Sequence, residues 1–174
     1  MQIEEFIKFW TDKNVSSSEK RLSSAYLAAV EQLQSIRTEL FACLKPQRSS
    51  KGAIVPVFDD EAMPLMSRYE VLEVELTGLR TSIEEFTSIA GGPSLDALLR
   101  EKHRLKKFFE SADNEIRTCT LRAVRKGKSD TDALENKDVQ AALAKKDHLQ
   151  SEFGPKLADV EKKIKRASAV LAKH

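Results

Sequence analysis

Residues 65–86 read LMSRYEVLEVELTGLRTSIEEF, and this stretch decides the fold. Its apolar residues recur in alternating steps of four and three, at Leu65, Tyr69, Leu72, Leu76, Leu79, Ile83 and Phe86. Steps of this kind place the side chains in one narrow stripe along a helix, which is the seam of a coiled coil. The stretch therefore predicts a long helix that packs lengthwise against another helix.

The same rhythm recurs in other parts of the chain, so most of the protein is predicted to be helical. Long helices are predicted over 18–44, 60–90, 95–126 and 132–173, and a short amphipathic helix within 1–14. We predict an all-α fold, an elongated antiparallel helical bundle or coiled-coil hairpin with about four long helices and the short N-terminal helix. Because 174 residues are enough for one ordinary domain and few for two, the expectation is a single helical domain, residues 1–174.

The segment AGGPS at 90–94 predicts a sharp turn between the third and fourth helices. Gly91 suits a left-handed helix cap, Pro93 blocks continuation, and Ser94 suits the start of the next helix. A turn this short predicts an antiparallel hairpin. A second interruption, Gly154-Pro155, predicts a kink or a break in the fifth helix.

Charge supports pairing of the third helix with the fourth. A hairpin that turns at Gly91 would place Glu84 and Glu85 near Arg100, and Glu70 near Arg117. Such flanking pairs select the partner and orientation of coiled-coil helices. We therefore expect this hairpin to be the spine of the bundle and the basic residues of the fourth helix to be paired within the chain.

The composition and the motifs do not indicate an enzyme. The 174 residues include 41% apolar, 6% aromatic and 32% charged residues, with two cysteines and three histidines. The cysteines have no CxxC spacing, the three histidines are far apart in sequence, and Glu-x-x-His, the signature of di-iron bundles, does not occur. We predict no catalytic residue, cofactor, metal or small-molecule substrate, and we expect a soluble cytoplasmic protein with reduced thiols.

Two apolar segments are the predicted protein-docking sites. In the N-terminal helix, Phe6 and Trp10 lie on one apolar face that packs over the bundle or binds a partner. In the predicted loop 45–59, the extended segment Ile54-Val55-Pro56-Val57-Phe58 is too apolar to remain uncovered, so it folds onto the bundle or binds a partner. Partner binding through Ile54, Val55, Val57 and Phe58 could use strand addition or an apolar pocket.

A basic group on the fifth helix indicates the alternative function. Lys162, Lys163, Lys165 and Arg166 have only Asp159 and Glu161 near them in sequence, and they suit an anionic surface, either nucleic acid or membrane, or a solvated face. The favoured interpretation remains a non-enzymatic scaffold or adaptor. It would act through contacts with other proteins and, in one version, with a second copy of itself as a homodimer.

Overall fold

The computed structural model describes residues 3–11, 15–126 and 133–173, without the side chains of Glu4 and Phe6. These residues form five helices and one β-hairpin. In chain order the elements are α1 (Ile3–Thr11), α2 (Ser17–Ala42), β1 (Leu44–Arg48), β2 (Ile54–Phe58), α3 (Ala62–Ala90), α4 (Asp96–Arg125) and α5 (Lys137–Leu171). The predicted all-α class, a helical bundle, is confirmed.

Two compact units divide the chain. The first unit comprises Met1–Pro93 together with Ala169–His174, and the second comprises Ser94–Ser168. α1, α2, the hairpin and α3 belong to the first unit, while α4 and most of α5 belong to the second.

Helix boundaries follow from local capping chemistry. Ser16 is the N-cap of α2: its hydroxyl accepts from the Glu19 amide, and the Glu19 carboxylate accepts from the Ser16 amide at 2.8 Å, a complete capping box. At the other boundary, Gly91 ends α3 in the left-handed conformation with φ 70°. Because that conformation is unfavourable for residues with a Cβ, glycine is the natural residue there.

The seam of α3 faces inward, as predicted, but its burial changes along the helix. Leu79, Ile83 and Phe86 are fully buried, whereas the earlier members of the stripe, Leu65 to Leu76, are half-buried. Within the first unit, α2 packs along α3, and α1 packs on both. Near the hairpin the seam lies between two helices alone, and a pair of helices leaves much of each side exposed.

Trp10 covers the buried end of that seam. Its ring meets the Phe86 ring edge-on with centroids 6.0 Å apart, and its indole N–H donates to the Pro93 carbonyl in the turn after α3. The side chain is 1% exposed. Trp10 therefore belongs to the core, which removes it from the predicted docking surface. α1 packs on α2 and α3 of the same unit, so the contacts of Trp10 are made within the chain.

Each unit contains its own pair of packed helices. In the first unit α3 packs with α2. In the second unit α4 runs antiparallel to α5, as the order of their side-chain contacts shows. Lys145 meets Glu115 at 2.6 Å, Lys146 meets Asp113 at 2.7 Å, and the ring of Phe108 stacks on that of Phe153.

α5 is continuous through Pro155, so the predicted break is absent. It also begins later than expected, at Lys137, because Asn136 caps it: the Asn136 side-chain oxygen accepts from the Asp138 amide at 2.9 Å. The long stretch before this helix includes residues 127–132, which lie outside the described part of the chain.

The predicted loop 45–59 is a β-hairpin. β1 pairs antiparallel with β2 in a register that sets Leu44 opposite Phe58 and Pro46 opposite Pro56. Gly52 turns the connection with φ 79°. The two prolines suggested irregular structure. A proline is nevertheless compatible with a strand at a position where the backbone N–H would face solvent, because no hydrogen bond between the strands is then lost.

Candidate protein-docking site

A group of exposed apolar side chains lies on and beside the β-hairpin of the first unit. We call this surface the apolar tip and define it by five side chains that are 40–69% exposed: Phe41, Ile54, Val57, Phe58 and Met63. They come from the end of α2, from β2 and from the start of α3. Clustered apolar exposure is typical of a surface that another molecule covers.

The tip has a preformed hollow at its base. Arg37, Leu40, Phe41, Phe58 and Tyr69 line it, and it encloses about 150 Å³. The Arg37 guanidinium lies over the Phe41 ring, 5.7 Å from its centroid, and this cation–π contact orients the ring. The hollow is large enough for a side chain of moderate size and smaller than the usual pocket for a drug-sized ligand.

An ion pair fixes the base of the hairpin. The Lys45 ammonium lies 2.8 Å from an Asp59 carboxylate oxygen, and the Asp59 amide donates to the Cys43 carbonyl at 3.2 Å. The hydrogen bond from Lys45 holds the pKa of the Asp59 carboxyl below its usual range, and the same bond raises the pKa of Lys45. Both strands thereby leave the helices at a defined angle.

We predict that the hairpin base loosens in acid. A carboxyl whose pKa is lowered by folding stabilises the fold above its unfolded pKa, and this contribution is lost as the pH falls through the folded value. NMR spectra recorded from neutral pH down to pH 2 should therefore show the Val57 methyl and Asp59 amide signals shifting together.

The matched control is the neighbouring acid, Asp60, which is exposed. Asp59→Asn should abolish the coupled shift, and Asp60→Asn should preserve it. A coupled shift that persists in Asp59→Asn would show that another group reports on the hairpin base.

Backbone geometry at the hairpin disfavours strand addition. Ser49 donates to Ala53 and Asp59 to Cys43, so successive residues along each strand alternate between backbone groups that face the partner strand and groups that face outward. In this alternation Pro46 and Pro56 occupy outward-facing positions on opposite edges. Each edge thus lacks an N–H at its centre, which protects it from pairing with another strand.

The structure gathers only part of the predicted docking set. Ile54, Val55, Val57 and Phe58 are all exposed, so the segment does not fold onto the bundle, and partner binding through it stays a prediction. Trp10 lies in the core, and the side chain of Phe6 lies outside the described part of the structure. Sequence reasoning missed Phe41 and Met63. Phe41 lies one position after Leu40, a member of the apolar stripe of α2. An apolar residue next to such a stripe rather than on it could have indicated an exposed side chain.

The predicted anion-binding residues lie on the exposed face of α5. Lys163 is 2.8 Å from Asp159, while Lys162, Lys165 and Arg166 project into solvent. The hydrogen bond from Lys163, reinforced by the charges of Lys162 and Arg166, lowers the pKa of the Asp159 carboxyl. The group therefore produces a positive local field that one acid only partly offsets.

Other site chemistry is sparse in the described ranges. Within residues 3–11, 15–126 and 133–173, no three His, Cys, Asp or Glu side chains are arranged to hold a metal ion. Cys43 and Cys119 are unpaired thiols, and burial together with Asp59 raises the pKa of the Cys43 thiol. A raised pKa lowers the thiolate fraction and hence the nucleophilicity of Cys43.

None of the described helices combines the length and apolar character needed to cross a membrane. Comparison with protein-family models, curated proteins and solved structures gave no match.

Proposed function

We propose that this protein is a non-enzymatic scaffold that binds a partner protein through the apolar tip. The observation that carries the proposal is the exposure of five large apolar side chains on and beside the hairpin, two of which, Phe41 and Phe58, line a preformed hollow. Burying them on a partner would remove apolar surface from water, the main source of free energy in protein association.

Recognition through side chains limits which kind of partner segment could bind the apolar tip. Because both free edges of the hairpin have a proline at their centre, the partner is not expected to extend the sheet. Phe41 and Phe58 line the hollow, so an aromatic or aliphatic side chain of the partner would enter between them. An amphipathic helix supplies such anchors at regular spacing and is the expected contacting element.

Photocrosslinking tests the proposal at the level of the residue. A photoreactive amino acid at position 54, where Ile54 is 69% exposed, should crosslink a partner protein in a lysate of the source organism. The matched probe is placed at position 134, where Leu134 is 50% exposed in the second unit. The proposal expects a discrete adduct from position 54 that position 134 does not give.

A triple substitution provides the second arm. Phe41→Ser, Ile54→Ser and Phe58→Ser should weaken partner capture at least about tenfold, since buried aromatic anchors commonly contribute more than 1 kcal/mol each. The control removes apolar surface elsewhere, with Leu121→Ser, Val124→Ser and Leu134→Ser. Equal capture by both variants, with circular dichroism unchanged, would overturn the proposal.

Solution mass distinguishes a foreign partner from a second copy. If the tip mediates self-association, sedimentation should show a dimer that the triple tip substitution converts to monomer. A monomer that still gives the position-54 adduct identifies the partner as a different protein.

A further inference from the structure

The second unit brings together two basic segments that are distant in sequence. α4 and α5 run antiparallel, and Lys102 and Lys106 of α4 both approach Glu161 of α5, at 3.2 and 3.7 Å. The beginning of α4 therefore lies beside the last third of α5. We call this end, residues 96–107 with residues 156–168, the basic end.

Charge is strongly uneven along this pair of helices. The basic end holds ten Lys and Arg residues and four Asp and Glu residues, an excess of six positive charges. The rest of the pair, residues 108–125 with residues 137–155, holds six of each and is neutral. Because the two ends belong to the same helices, general composition does not account for the difference.

Three of the four acids of the basic end pair with only some of its cations. Glu101 pairs with Arg104 and Asp159 with Lys163, both at 2.8 Å, while Glu161 lies near Lys102 and Lys106. Among the described residues, no carboxylate oxygen lies within 4 Å of the six other cations of this end, all exposed: Arg100, Lys107, Lys156, Lys162, Lys165 and Arg166. The lowered pKa of Asp159 agrees with a positive field there.

A surface hollow gives the basic end a shape. Asp96, Leu99, Arg100, His103, Arg104 and Lys107 line a hollow of about 630 Å³ on the outer face of α4. Steps of three and four residues align its cationic side chains along one ridge about 10 Å long. The ridge can hold successive phosphates of an extended chain, whereas a single small anion would use only part of it.

We propose that the basic end binds the phosphate backbone of nucleic acid. Lysine and arginine side chains at close spacing neutralise phosphates and release counterions, which gives binding without base specificity. A lipid surface fits less well because Leu99 is the one large apolar side chain of the hollow, and interfacial helices insert a broad apolar face. This proposal adds basic residues of α4 to the basic group predicted on α5, and it does not depend on the apolar tip.

Fluorescence anisotropy of a labelled 20-base-pair DNA duplex, and of a single-stranded RNA of the same length, tests the proposal. The full chain should bind at 50 mM salt, and engagement of about four phosphates should weaken duplex binding about 100-fold between 50 and 200 mM. The variant Arg100→Glu, Lys107→Glu, Lys162→Glu and Arg166→Glu should lose at least about tenfold at 50 mM salt.

The matched control reverses four exposed cations in the neutral part of the same helices: Arg117→Glu, Arg122→Glu, Arg125→Glu and Lys137→Glu. Both variants have the same net charge, and only the first should lose binding. Equal losses in the two variants, or no binding by the wild type at 50 mM salt, would overturn the proposal.

Two further arms separate the competing explanations. Vesicles with anionic phospholipid that bind the wild type when neither nucleic acid does would assign the end to membranes and also overturn the proposal. The tip variant Phe41→Ser, Ile54→Ser and Phe58→Ser should retain nucleic-acid affinity. Loss of partner binding and loss of nucleic-acid binding are thus measured on different variants, so either function can fail alone.

Discussion

Trp10→Ala is expected to destabilise the first unit by about 3–5 kcal/mol, the range for removing a large buried aromatic side chain. Three interactions disappear together: apolar burial, the edge-on contact with Phe86 and the hydrogen bond to the Pro93 carbonyl. Because Trp10 is the one tryptophan of the sequence, unfolding should be followed by circular dichroism, with urea as denaturant, so that wild type and variant give the same signal.

Two variants separate these contributions. Trp10→Phe retains an aromatic ring but removes the donor, and the unpaired Pro93 carbonyl should add about 1–3 kcal/mol to any loss of packing. Phe9→Ala changes the neighbouring residue, which is 43% exposed, and should shift the midpoint little. If Phe9→Ala proves as harmful as Trp10→Ala, the role of Trp10 as the cover of the α3 seam is wrong.

The sequence was most informative where a local rule determines structure. Gly91 is an instance, because a glycine at a left-handed cap satisfies backbone groups a few residues away. The inward stripe from Leu65 to Phe86 is another, because helical spacing alone fixes which side chains share a face. In each case the deciding partners lie within one or two turns of the chain.

Helix pairing was not determined in this way. The seams of α2, α3, α4 and α5 follow one packing code, so the sequence makes each a plausible partner for any other. The ion pairs of Glu115 and Asp113 with lysines of α5 were not among the predicted contacts. Exposed ion pairs contribute about 0–1 kcal/mol each, too little to decide a topology.

The residues of the two candidate sites could likewise not be identified from the sequence, because the tertiary fold brings them together. Ile54 to Phe58 could be recognised in the sequence, but Phe41 and Met63 join them only because α2 and α3 meet at the hairpin. The basic end likewise combines Arg100 with Lys162, more than sixty residues apart in sequence, through the antiparallel pairing of α4 with α5.

Pro155→Ala is the second prediction with a large expected effect, and its sign is opposite. Pro155 lies inside continuous α5 and is exposed, so its ring leaves the carbonyl four residues earlier, that of Ser151, without the usual intrahelical bond. Alanine restores the donor and has the best helix propensity. A proline within a helix costs about 3 kcal/mol relative to alanine, so a gain of about 1–3 kcal/mol is expected.

Hydrogen exchange measured by mass spectrometry localises this effect. Peptides covering residues 145–165 should exchange about 5- to 150-fold more slowly in Pro155→Ala, which corresponds to 1–3 kcal/mol of additional protection. Ala158→Pro, at another exposed position of α5, is the reciprocal control and should accelerate exchange over the same peptides.

Unchanged or faster exchange in Pro155→Ala would mean that Pro155 contributes to the fit between α4 and α5. Phe153, two residues before Pro155, stacks on Phe108 with centroids 5.3 Å apart, so a straighter α5 could displace this contact. The two effects can be separated in the double variant Phe108→Ala and Pro155→Ala. If the proline seats Phe153, its replacement should become stabilising once the Phe108 ring is removed, because the stacking contact is no longer available to lose.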